Sequence, residues 1–119
     1  IYGESVGYNL TATTTTQLLE VSSGKLLKVN RITVANVDGT NAADVTLSIT
    51  KANFTSAGVT NFDTSGTFFV AKTISVPADA TLVLLDTPIY LMEGDILKGG
   101  ASAASDLDLF ISYEVLDDA

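Results

Sequence analysis

The sequence contains no cysteine, no histidine and no tryptophan, and it has only one methionine and two prolines in 119 residues. Without cysteine there is no disulfide, no thiolate nucleophile and no thiolate metal site. Without histidine, the commonest general base and the commonest transition-metal ligand are missing. Most hydrolytic, phosphoryl-transfer and zinc-dependent mechanisms lose their usual parts, so the expectation is a non-enzymatic protein with no cofactor and no metal. Basic residues are scarce too: 6 Lys and Arg stand against 14 Asp and Glu, a formal net charge of −8. Such a surface repels phosphate backbones and disfavours nucleic acid as a partner. No apolar run approaches the roughly 18 residues of a membrane span. The longest candidate, "ATLVLLDTPIYLM", is broken by Asp86 and Pro88, so no membrane partner is expected. Nothing resembles a signal peptide, and the start at Ile1 fits maturation cleavage and trimming equally.

What is present is β-branched and alternating. The stretch "SDLDLFISYEVLDDA" places Leu107, Leu109, Ile111, Tyr113 and Val115 on one phase, with Asp106, Asp108, Phe110, Ser112 and Glu114 on the other. A period of two means a strand with one face in a core. "ADVTLSITKA" repeats the pattern, with Val45, Leu47 and Ile49 inward and Asp44, Thr46, Ser48 and Thr50 outward. In "KLLKVNRITVANVDGTN" the parity slips between Leu27/Val29 and Ile32/Val34, and a bulge near Asn30-Arg31 would reconcile them. Pro77 ends "TFFVAKTISVP", and Thr87-Pro88 divides two short strands that close at Glu93-Gly94-Asp95. About eight strands with turns at short intervals, and no helical period, predict a single all-β domain over residues 15–119. The expected architecture is a two-sheet antiparallel β-sandwich of jelly-roll or Greek-key type. Residues 1–14, "IYGESVGYNLTATT", lack a clean period and read as an extended N-terminal arm with at most one short strand.

Several motifs have a plain structural reading. "NVDGTN" faintly suggests a calcium loop, but the closing bidentate Glu is absent and Asp-Gly suits a hairpin turn. Glu93 and Asp95 flank a tight turn, where polar residues serve solvation, so catalysis by paired carboxylates is not expected. The sequons at Asn9 and Asn53 and the threonine run from Thr13 to Thr16 are read as chance and as exposed strand. The aromatic positions are more informative. Phe68 and Phe69 cannot both face one core, and Phe110 falls on the outward phase of the last strand, a hint that this face is covered. Phe54 and Phe62 are anchor candidates in the long loop "NFTSAGVTNFDTSG", and Ile1, Tyr2 and Tyr8 are those of the arm. Together Ile1, Tyr2, Tyr8, Phe54, Phe62 and Phe110 form the set of candidate assembly contacts.

Three stretches carry a family likeness: "VNRITVANVDGTNAADVTLSITKA", "AKTISVPADATLVLLDTPIYLMEGDILKGGASAASDLDLFISYEVL" and the loop between them. This order of strands and turns, over roughly residues 24–116, resembles small virion structural proteins of tailed bacteriophages from marine and freshwater environments. The resemblance implies an accessory protein on the outer surface of the virion. The first expectation is a capsid decoration (cement) protein that stabilises the shell as a homo-oligomer, with a trimer favoured, and contacts the major capsid protein or other virion proteins. The alternative is a tail, neck or fibre subunit. Outside that family stand a carbohydrate-binding β-sandwich module and a secreted filament subunit that exchanges residues 1–14 between copies.

Overall fold

The computed structural model describes residues 2–10, 16–63 and 65–117. They form nine strands and, among the described residues, no helix: β1 Tyr2–Leu10, β2 Thr16–Glu20, β3 Lys25–Asn36, β4 Ala43–Lys51, β5 Gly66–Val76, β6 Thr81–Leu85, β7 Ile89–Leu91, β8 Ile96–Ala101 and β9 Leu107–Asp117. The first sheet runs β1-β9-β3-β6, with β7 also paired to β3, and the second runs β2-β8-β4-β5. All pairings are antiparallel and nested: β1 with β9, β2 with β8, β3 with β6 and β7, and β4 with β5. The chain is thus a long hairpin wound onto itself, the jelly-roll arrangement within the expected all-β sandwich.

The core lies between the sheets and is filled by the inward phase that the sequence displays. Leu107, Leu109 and Ile111 of β9 are buried, as are Val45 and Leu47 of β4. β3 contributes Leu27 and Val29 on one phase and Ile32 and Val34 on the other, all buried. The β3–β9 register shifts between Val29 and Arg31, so the bulge expected near Asn30-Arg31 is present and returns both pairs to the core. On β8, Gly99 makes room: a Cβ there would sit 2.8 Å from Leu18 Cδ1 and 3.3 Å from Leu47 Cδ1.

Four features differ from the sequence expectation. Residues 2–10 of the arm do not reach away from the body. They are β1, an edge strand in register with β9 from Tyr2↔Val115 to Leu10↔Leu107, and Leu10 is buried. The remainder of that segment, Ile1 and residues 11–14, lies outside the described residues. Asp38-Gly39 does not turn a hairpin, because β3 and β4 belong to different sheets. The segment is a crossover stitched by buried Asn36, whose Nδ2 donates to the carbonyls of Asn41 (3.0 Å) and Val76 (2.9 Å). Its Oδ1 accepts the Asp38 amide at 2.9 Å. Asp38 in turn accepts the Thr40 amide, and that hydrogen bond holds its carboxyl below the usual range.

Asp95 is not a solvated turn residue but wholly buried. Its carboxylate takes the Lys51 ammonium at 2.6 Å and the amides of Ala52 and Met92 at 2.9 and 2.8 Å. It therefore ties the end of β4 to the β7–β8 turn, and a buried charge persists because every contact on it is a donor. Ser48, read as outward and solvated, is buried on the outer face of the second sheet, between Phe69 of β5 and Lys98 of β8 in register.

Candidate functional site

Three places on this scaffold present side chains that could meet a partner. The first is the outer face of the β1-β9-β3-β6 sheet. Phe110 stands 52% exposed there, with Gly7 on one side and Thr33 on the other. The Phe110 ring lies against Gly7, where a Cβ would meet it at 3.4 Å, an ordinary contact distance. Val83 of β6 and Tyr90 of β7 are exposed on the same face.

The second is β5, the edge of the other sheet. Phe68, Phe69, Val70 and Ile74 are all exposed along it. The rule that two adjacent residues cannot share one face holds, since Phe69 opposes Ser48 and Phe68 opposes Ile49. Phe68 opposes Ile49, which packs against the core, yet remains 43% exposed. Lys72 Nζ lies 5.3 Å from the centre of the Phe69 ring, a distance that suits a cation–π contact. Register shifts at Val45/Leu47 and Leu47/Ser48 distort the β4–β5 ladder, and bulges of this kind discourage indiscriminate edge pairing.

The third is a cleft of about 220 Å³ where the two sheets part beside β1 and β2, lined by Tyr2, Glu4, Glu20, Lys25 and Tyr113 among others. The Tyr113 hydroxyl donates to Glu4 Oε1 at 2.9 Å. Partial burial, then the Glu4 carboxylate, push its phenol up to about 12. Tyr8 closes the same side of the sandwich by donating to the Leu18 carbonyl at 2.8 Å, and burial raises its phenol as well.

The six candidate contact residues therefore separate. Phe110 is on the open face, and Tyr2 is exposed at the mouth of the cleft. Tyr8 is a half-buried strut between sheets, and Ile1 lies outside the described residues. Phe54 and Phe62 do come together: their rings stack 5.2 Å apart inside the loop that follows β4, with Lys51 Nζ 4.9 Å from the centre of the Phe54 ring. They anchor that loop to itself. Sequence reasoning missed Val70, Ile74, Val83 and Tyr90 as exposed apolar side chains, because each sits in a run that reads as core. Among the described residues no group of three acidic side chains could hold a metal ion. No family model matches the chain, and neither a curated protein nor a solved structure matches it.

Proposed function

We propose that this protein is a structural subunit of a virus particle, a capsid decoration protein on the outer surface of a tailed-phage virion, acting through contacts with its own copies and with the shell. The observation that carries the reading is the placement of large apolar side chains on rigid strands in two separate places, the Phe110 face and the β5 edge. A protein that bridges shell subunits needs at least two contact surfaces held at fixed geometry, and it contributes binding free energy in place of turnover. The resemblance of residues 24–116 to small phage virion proteins supports a tailed-phage particle as the setting. Jelly rolls recur in viral capsid domains, a fold-level analogy that agrees with the reading without carrying it. The net charge of −8 suits a surface turned away from packaged DNA.

The test is immunogold labelling of tailed-phage particles that carry the gene, with antibody raised against the purified chain. Dense label over the heads supports decoration. Label confined to the neck, tail or fibres moves the protein to that alternative, and particles without label overturn a virion role.

The cleft between β1 and β2 favours a second reading, since jelly rolls also serve as lectin domains. Two tyrosines beside two carboxylates could stack and hydrogen-bond a sugar. Glycan-array binding that is lost in Tyr2→Ala would support it.

A further inference from the structure

The register of the first sheet places opposite charges in neighbouring columns of its outer face. β9 carries Asp108 and Glu114 there, and β3 beside it carries Lys28 and Arg31. Glu114 lies opposite Lys28 and Phe110 opposite Thr33. Among the described residues the ion pairs are Lys25–Asp117 and Lys51–Asp95, so none of these four charges is engaged in one. In a chain with only 6 basic residues, two of them stand on this one face beside two acids. The apolar feature between them is Phe110, and next to it the β1 column consists of Gly3, Ser5, Gly7 and Asn9, which leaves a shallow depression. An exposed aromatic ring, a low neighbouring surface and both signs of charge make a face that complements itself.

We propose that a second copy of this chain docks on this face, related by a twofold axis that lies in the interface, parallel to the strands and between β9 and β3. Rotation about that axis reverses the lateral order of the strands and keeps position along them, so β9 of one copy lies over β3 of the other. Glu114 then meets Lys28 of the second copy, and Lys28 meets its Glu114. Phe110 stands over Thr33 of the second copy and beside that copy's Phe110. Two sheets pack about 10 Å apart, which gives an aromatic ring room to interdigitate. The contact is isologous, so it closes as a dimer or as an assembly built from dimers. It rests on the reading of the chain as a self-associating particle subunit and names the face that reading requires.

The test uses light scattering on Lys28→Glu, on Glu114→Lys and on their equimolar mixture. Each single variant makes both charge contacts repulsive and is expected to run as a folded monomer, while the wild-type chain runs as a dimer. The mixture is expected to regain the dimer mass, because one partner then carries acids at both positions and the other carries cations at both. Like charges remain opposite each other within each copy, so recovery on mixing can arise only across the interface. Phe110→Ser, which changes no charge, should weaken the dimer at least about ten-fold, as expected of a central aromatic contact. Wild-type oligomers retained by all the variants overturn this face but leave self-association through another surface. Single variants that stay monomeric when mixed overturn the axis. A wild-type monomer at about 100 μM overturns both this inference and the self-association beneath it, while the immunogold result judges the virion role separately.

Discussion

The Asp95 carboxylate, with no access to solvent, lies 2.6 Å from the Lys51 ammonium and accepts two main-chain amides besides. Removing it leaves three donors without their acceptor. Asp95→Ala should therefore cost about 3–5 kcal/mol, towards the lower end because the Lys51 side chain keeps some solvent access. Chemical denaturation that shows a loss below about 1 kcal/mol would place the β4 anchor elsewhere.

Ile111 is fully buried at the middle of β9, opposite Val6 on β1 and Ile32 on β3. Ile111→Asp puts an unpaired carboxylate there, which costs several kcal/mol and should abolish folding. Soluble variant that melts cooperatively would contradict the inward assignment of the strand.

Residues 2–10 are structural, so removing residues 1–10 should do more than disarm the domain. Deletion strips the buried Leu10 side chain and the Tyr8–Leu18 strut and opens the edge of β9. The expected outcome is a large fall in melting temperature together with aggregation. Leu10→Ala alone should cost about 2–5 kcal/mol. A deleted chain that melts as cooperatively and as high as the full one would show β1 to be dispensable.

The absence of tryptophan makes tyrosinate absorbance near 295 nm a clean probe of the four tyrosines. Tyr113 should ionise near pH 12, the value to which burial and Glu4 push it. Its folded-state pKa exceeds its unfolded value of about 10, so the stability it confers is complete below that pH. That stability is lost as pH rises from about 10 towards 12. In Glu4→Gln the last transition should move to lower pH, and an unchanged titration would remove Glu4 as a cause.

The strands were legible wherever one face is continuously apolar. β9 and β4 announce their inner phases, and the parity slip in β3 located its bulge, because a bulge is the cheapest way to return both halves to one core. β1 was obscured by Glu4, which occupies the inward phase and breaks the apolar period. At an open sheet edge a carboxylate can hold that position, since it reaches solvent and accepts the Tyr113 hydroxyl. Asp95 was illegible for a related reason: turn carboxylates usually face water, and nothing in "MEGD" announces that Lys51, 44 residues earlier, arrives beside it. Of the contact residues, Phe110 could be read from its phase alone. Val70 and Ile74 could not, because their exposure follows from β5 being an outer strand, and strand order is a property of the whole winding.

β9 is an interior strand of its sheet, between β1 and β3. Until residues 107–117 emerge, β1 has no neighbour to pair with and one flank of β3 stays open. Completion of this sheet therefore waits for residues 107–117, and it must join segments about a hundred residues apart, a slow step for a chain held together by such distant contacts. A product cut short before β9 would expose the apolar inner faces of both strands, surface that favours aggregation over folding.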